Sequence, residues 1–173
     1  MTNLKVNIAG VSFKNPVITA SGCFGFGREY ECMYPLEKLG GISLKGMTFQ
    51  EKLGNPPPRI AETPSGMLNS VGLQNPGVEH FLEHDMPYLA KQDTVKIANI
   101  AGSSIEDYCA IAERLSESEI DMFELNISCP NVKQGGAAIA TSCESAELVV
   151  KEERKYAKTP MIVNLSPNHT EIV

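Results

Sequence analysis

The densest concentration of chemically capable side chains is Asn126-Ile127-Ser128-Cys129-Pro130-Asn131, followed by Lys133 and Gly135-Gly136. A cysteine just past an apolar run, ahead of a proline that blocks regular pairing, belongs in a constrained loop rather than a core. A thiol so placed can act as nucleophile, metal ligand or general base. An unperturbed pKa near ~8.5 leaves a few per cent thiolate at neutral pH, enough for base work once surroundings lower it. The histidines are His80, His84 and His169, none of them adjacent in sequence, so a Cys-His nucleophile pair is not indicated.

Three further segments carry polar chemistry. Asn69-Ser70-Val71-Gly72-Leu73-Gln74-Asn75 offers amides and exposed backbone around a glycine, which suits a flat ring with several donors and acceptors and equally suits a helix-capping loop. In Ala20-Ser21-Gly22 the missing side chain lets backbone approach a planar ligand. Lys45 closes the apolar run of Ser43-Leu44-Lys45-Gly46, where a cation can pair with an anionic ligand. Gly25-Phe26-Gly27 lacks the Gly-Lys-Ser/Thr that a phosphate-cradling loop requires.

The elements that must position these groups are short apolar runs: Val17 to Ala20, Gly41 to Leu44, Val95 to Ala98, Met122 to Leu125 and Met161 to Val163. They read as strands buried on both faces, as in a parallel sheet. Helix signals fall between several of them. Asn75-Pro76 reads as an N-cap followed by proline, and Ser103 with Glu106 and Thr141 with Glu144 read as capping boxes. Alternating strands and helices imply right-handed βαβ units. Val6–Ile8 and Val11–Phe13 around Gly10 predict a small leading hairpin, and Met47 to Ser70, with three consecutive prolines, reads as a long loop. A polar residue follows every main run: Ser21, Lys45, Asn99, Asn126 and Asn164. Carboxyl ends of parallel strands build ligand sites, so these five are expected to converge.

Composition bounds the alternatives. The chain has 173 residues, 42% hydrophobic and 21% charged, which fits one globular domain with a core. No run reaches the roughly 18 apolar residues of a membrane span, and no secretory signal is visible at the start. A net charge of −6 without a basic patch argues against a nucleic-acid partner. Cys23, Cys32, Cys109, Cys129 and Cys143 contain no C-x-x-C pair, so neither a zinc knuckle nor a disulfide framework fits. All but Cys129 are expected to be buried thiols in a reducing cytosol.

Ser43-Leu44-Lys45-Gly46, Asn69 through Asn75 and Asn126 through Asn131, in this order and spacing, resemble class 1 dihydroorotate dehydrogenases. Val71-Gly72-Leu73-Gln74-Asn75-Pro76-Gly77 and Asn131 through Gly136 most resemble the NAD-linked class 1B catalytic subunit. The resemblance covers Leu4 to Val173 and implies an α/β fold, an incomplete (β/α)8 TIM barrel of about the first five βα units forming one domain over 1–173. It implies FMN as cofactor and oxidation of dihydroorotate to orotate in pyrimidine biosynthesis. On that resemblance Ala20, Ser21, Lys45, Gly46, Asn99 and Asn126 hold the flavin. Lys45, Asn69, Ser70, Val71, Gly72, Leu73, Asn126 and Asn131 hold orotate. Cys129 is the base that removes the C5 proton, with Lys45 beside it, and no metal is involved. It further implies a cytoplasmic homodimer within a heterotetramer, whose FAD- and iron–sulfur-containing subunit passes electrons to NAD.

Two departures stand beside the resemblance. A complete barrel needs about 200 to 250 residues, so the expectation is a partial barrel without the usual phosphate-binding loops. Asn164 stands where the family pattern has lysine, and the lysine's role is not carried onto it. The alternatives are a catalytically inactive fragment of that enzyme or a related flavin-dependent dihydropyrimidine dehydrogenase.

Overall fold

The computed structural model describes residues 2–128 and 142–166. The leading hairpin pairs β1 (Val6–Ile8) with β2 (Val11–Phe13), Val6 opposite Phe13. Its two-residue turn takes Ala9 and Gly10 to φ of 50° and 89°, the left-handed pair that matches strand twist in a tight hairpin. Asn7 Oδ1 accepts from the Gly10 amide at 3.0 Å and fixes that turn.

Five parallel strands form the main sheet in sequence order: β3 (Ile18–Thr19), β4 (Gly41–Ser43), β7 (Val95–Ile100), β8 (Met122–Asn126) and β9 (Met161–Asn164). All five expected runs are strands. The expectation of burial on both faces fails at the two edge strands: Val17 and Ile18 beside β4 are 56% and 36% exposed, and Met161–Asn164 beside β8 are only half-buried.

The expected loop from Met47 to Ser70 contains an antiparallel ribbon, β5 (Ile60–Thr63) with β6 (Gly66–Asn69), every residue of which is exposed. Its pairing is local, so it forms without the core burial that made the other strands readable.

A helical segment then starts with α1 (Val78–His80), passes through a π-turn (Phe81–Asp85) and continues as α2 (Met86–Leu89). Pro87 lacks the amide that would close the preceding α-turn, a standard cause of such widening. Gly77, not Asn75, holds the N-cap position. Asn75 instead accepts from the Gly77 amide at 3.0 Å and the Thr48 amide at 3.1 Å, tying the helix entry to the segment after β4.

Helix α3 (Ile105–Leu115) has a true capping box one residue later than expected. Ser104 Oγ accepts from the Asp107 amide, and Asp107 Oδ2 accepts from Ser104 N at 3.2 Å and Ser103 N at 2.8 Å. Helix α4 (Cys143–Glu153) is capped by Ser142, whose Oγ accepts from Ser145 N at 3.1 Å. The expected Thr141 lies outside the described residues. Between β3 and β4 the connection holds only a 3₁₀ turn (Leu36–Lys38), so the first βα unit has no full helix among the described residues.

The outer face of the sheet packs Ile42, Leu44, Ala98, Ile100, Phe123 and Leu125 against Phe81, Leu89, Tyr108, Ile111, Leu115 and Val149 from the helices. A smaller cluster of Phe13, Ile97 and Met122, flanked by Val6 and Ile8, seats the hairpin against the amino-terminal part of the inner face. The upper inner face is thereby left for a cleft.

The four described cysteines correct the expectation of buried thiols. Cys23, Cys32 and Cys143 are exposed, two on the loop after β3 and one at the start of α4, and Cys109 is half-buried. Burial first, then the carboxylates of Glu153, Glu152 and Glu106, push the Cys109 thiol up and keep it protonated.

Glu153 is fully buried, and neither carboxylate oxygen has a partner among the described residues. Desolvation pushes its pKa up to about 8. The folded state therefore holds a proton that the unfolded chain releases above about pH 4.5, so this group's contribution to stability falls as pH rises from there to about 8. Urea unfolding at pH 5, 6.5 and 8 should show the native chain losing roughly 3–5 kcal/mol relative to Glu153→Gln across that range. Parallel curves for the two proteins would refute a neutral Glu153.

Candidate functional site

Alternation along each strand sends every second side chain to the inner face. There the sequence places Ser43 and Lys45, Ile97 and Asn99, Glu124 and Asn126, and Ile162 and Asn164. Each pair puts a hydrogen-bonding group at its carboxyl end. Parallel register then sets the neighbours: Asn99 lies opposite Glu124, and Asn126 opposite Asn164. Together with Thr19, Ala20, Ser21 and Gly22 from the first strand end, Gly46, and Leu73 from across the mouth, they line a cleft of about 460 Å³. All five polar residues that follow the main runs meet there.

A polar network crosses the cleft floor. Asn126 Nδ2 donates to Asn99 Oδ1 at 3.3 Å. The Ser128 hydroxyl lies 3.1 Å from both Asn126 Oδ1 and Asn164 Oδ1, and its single proton serves one of them at a time. Asn164 Nδ2 donates to Glu124 Oε1 at 2.8 Å, while Ser43 Oγ donates to Glu124 Oε2. The Glu124 carboxylate is thus gripped by two neutral donors.

Around this floor the backbone is held close. Ser21 Oγ donates to the Leu44 carbonyl at 2.6 Å, and the Lys45 amide to the Gly25 carbonyl at 3.0 Å. A Cβ on Gly46 would stand 2.9 Å from Asn99 Oδ1 and 3.1 Å from Leu73 Cδ1, so only glycine fits between them. Leu73 has φ +57°, an uncommon left-handed conformation for a bulky residue and the kind of strain that collects at binding sites. Asn75 Nδ2 donates to the Leu73 carbonyl at 2.9 Å and secures that turn.

Of the residues assigned by resemblance, Ala20, Ser21, Lys45, Gly46, Leu73, Asn99 and Asn126 line the cleft. Asn69, Ser70, Val71 and Gly72 do not. Asn69 ends the exposed ribbon, and Ser70 binds Asn55 Nδ2 at 3.0 Å. The Asn55 amide donates to the Val71 carbonyl at 3.1 Å, and Gly72 packs against Asn55. This strip turns toward the 52–55 segment before Leu73 returns to the cleft. Cys129 and Asn131 lie outside the described residues.

Sequence reasoning missed Glu124, Ser43 and Ser128. Each lies two positions from a residue already singled out: Ser43 and Glu124 are polar residues inside apolar runs, and Ser128 follows the run that Leu125 ends. Among the described residues no group of three or more His, Cys, Asp or Glu could hold a metal ion, and no helix is long and apolar enough to cross a membrane.

The residues present fit a flat, amide-rich ligand. Fully buried Asn99 keeps its Nδ2 donor without a partner, Thr19 Oγ1 is likewise unpaired, and Gly22 and Gly46 open backbone at the wall. Lys45 supplies a cation and Glu124 an anion.

A parallel sheet that gathers polar side chains at its strand carboxyl ends is the arrangement on which α/β proteins, barrel and doubly wound alike, build their ligand sites. A sequence model of the dihydroorotate dehydrogenase family matches residues 3–173, and the chain belongs to that family. The catalytic subunit of dihydroorotate dehydrogenase B (NAD(+)) from Petrotoga mobilis is 54% identical over 173 residues, covering 100% of this chain and 58% of the relative. That of Alkaliphilus metalliredigens is 56% identical over 171 residues, covering 99% and 57%. Among solved structures, the DHODH of Eimeria tenella in complex with ferulenol aligns with a TM-score of 0.79 at 20% identity, over 97% of this chain and 53% of that one, a likeness of fold. The chain therefore spans a little over half the length of the curated relatives it matches.

Tyr108, buried in α3, donates its hydroxyl to the Asn126 carbonyl at 2.9 Å and sets the height of that strand end. Tyr108→Phe leaves the carbonyl without this donor and should cost about 1–2 kcal/mol of stability, read from the urea midpoint at unchanged slope. An unchanged midpoint would show that the bond contributes nothing.

Proposed function

We propose that this chain is the N-terminal portion of a class 1B, NAD-linked dihydroorotate dehydrogenase catalytic subunit. Its five βα-type units would belong to a (β/α)8 barrel that oxidises (S)-dihydroorotate to orotate in pyrimidine biosynthesis. The observation that carries this reading is the meeting of Ser21, Lys45, Asn99, Asn126 and Asn164 at one cleft, with an Asn99 donor left over for a ligand. FMN, when bound, supplies the acceptor for the hydride leaving C6 of the substrate.

The chain's own residues divide the remaining work. Ala20, Ser21, Gly46, Asn99 and Asn126 hold the flavin ring through backbone and amides. Lys45 pairs with the substrate carboxylate, and the Leu73 backbone, Asn126 and Asn131 complete the substrate's hydrogen bonds. Cys129 takes the C5 proton, which requires a thiolate near neutral pH and exclusion of water around it. The relatives' names as catalytic subunits support a separate partner, proposed here as an FAD- and iron–sulfur-containing subunit that reduces NAD, with the catalytic subunits as a cytoplasmic homodimer inside a heterotetramer.

Asn164 shifts the charge balance of the site. It grips Glu124 as a neutral donor and brings no positive charge to the inner face. A flavin that gains negative charge on reduction is then less stabilised, which favours a second reading: a piece that binds ligand but turns over poorly.

Three outcomes separate the readings when the chain is loaded with FMN and mixed anaerobically with substrate. Bleaching of flavin absorbance by dihydroorotate supports the proposal, and bleaching by dihydrouracil alone moves the chain to the dihydropyrimidine class. Bound flavin that neither substrate bleaches marks an inactive piece. Cys129→Ser should slow bleaching by about 10²-fold or more at pH 7, since a hydroxyl is a far weaker base than a thiolate. Equal rates would remove Cys129 as base. Asn164→Lys should speed flavin reduction by about tenfold through the added charge, and an unchanged rate would show that Asn164 is no handicap.

A further inference from the structure

The loop over residues 20–35 supplies one wall of the cleft yet holds no helix or strand. Gly22, Gly25 and Gly27 adopt φ of 82°, 54° and 88°, so its path depends on backbone that only glycine adopts readily. Gly27 is its pivot. A Cβ there would come within 2.7 Å of Leu36 Cδ1 and 3.0 Å of Ile42 Cδ1, so the turn is pressed against the core.

On one side of that pivot lie Ala20, Ser21 and Gly22 at the cleft. On the other, the Arg28 guanidinium lies 4.3 Å over the Tyr88 ring and donates through Nη2 to the His84 carbonyl in the π-turn at 2.9 Å. Its Nε stands 3.9 Å from Asp85 Oδ1. Tyr88 in turn donates its hydroxyl to Glu31 Oε2 at 2.8 Å, and Gln92 Nε2 reaches Glu31 Oε1 at 3.3 Å. Burial, then the bond to Glu31, push the Tyr88 phenol up to about 12, so it remains a donor throughout the neutral range. Phe26 packs on Phe81 of the same π-turn, centroids 5.1 Å apart.

The helical segment so engaged follows closely on the strip carrying Leu73, which lines the cleft from across its mouth. One clasp therefore joins the two sides of the mouth. Between them lies a second space of about 290 Å³, bordered by Gly25 and Phe26 from the loop, Gln74 and Asn75 from the strip, and Lys45 from the floor.

We propose that Arg28 is a positioning residue: by clasping the 20–35 loop to the π-turn and Tyr88, it sets the cleft wall of Ala20, Ser21 and Gly22 at the height a planar ring requires. The flavin part of this inference rests on the proposed function; the clasp itself does not. Lysine cannot replace arginine here, because an ammonium cannot lie flat on the ring and donate sideways to a carbonyl at once.

Amide hydrogen exchange of the whole chain, with and without riboflavin, tests it in the native protein and in Arg28→Met, Arg28→Lys and Tyr88→Phe. Both Arg28 variants should speed exchange in residues 20–35 by roughly three- to tenfold and leave α3 unaltered. Tyr88→Phe, which keeps the ring but cuts the Glu31 bond, should act in the same loop and more weakly. Riboflavin, an isoalloxazine without phosphate, should bind each Arg28 variant several-fold more weakly, as read from quenching of its fluorescence. Unchanged loop exchange in Arg28→Met, or faster exchange spread equally into α3, overturns the clasp. A loosened loop with undiminished riboflavin affinity overturns its link to the cleft. If the native chain fails to bind riboflavin, the functional reading fails, and loop exchange alone decides the clasp.

Discussion

The pairing of Asn99 with Glu124 and of Asn126 with Asn164 across adjacent parallel strands is the constraint on which the cleft depends. A shift of one residue in any of these pairings would turn its polar pair into the core and its core pair into the cleft, because strand side chains alternate with a period of two. Register is held from the other face. Ala98, Ile100, Phe123 and Leu125 are fully buried against the helices, and none of their positions tolerates a polar replacement without a partner. The apolar outer face thus determines which residues can act on the inner one.

Polar contacts then refine what packing sets. Tyr108 reaches from α3 to the Asn126 carbonyl, coupling a helix on the outer face to a strand end at the cleft. Glu124, the acid of the floor, is satisfied by Ser43 and Asn164, from strands on either side. Such a network holds its members in one arrangement because each loses its partners if it moves. Asn99 is the exception. Its buried Nδ2 has no partner among the described residues, a cost that a hydrogen-bonding ring lying against it would remove.

Much of the architecture was legible in the residues. The five apolar runs and the hairpin around Gly10 are strands, since short β-branched segments and a two-residue turn carry their geometry locally. The motifs around Lys45, Asn75 and Asn126 were specific enough to carry the family, which the relatives bear out. What was misread had competing local signals. Ser103-Ser104 offers two capping hydroxyls, and the choice fell to Ser104 because Asp107 can reach back to both amides. The ribbon at 60–69 was hidden behind prolines and buries too little to show a period. Exposed Cys23, Cys32 and Cys143 reflect the positions of loops and helix faces, which thiol character does not reveal.

The sequence by itself determined the types of group available and their distance from the end of each strand, because alternation and turn chemistry act over a few residues. It therefore named Ser21, Lys45, Asn99, Asn126 and Asn164 before any fold was known. Only the tertiary structure decided that Glu124 joins them, that Asn69 through Gly72 turn away toward Asn55, and that Arg28 spans from one lip of the cleft to the helix behind the other. Those outcomes depend on strand register and on contacts between segments some 15 to 80 residues apart, such as Asn55 with Ser70 and Ser43 with Glu124. No local preference encodes them; they follow from which faces the core leaves open.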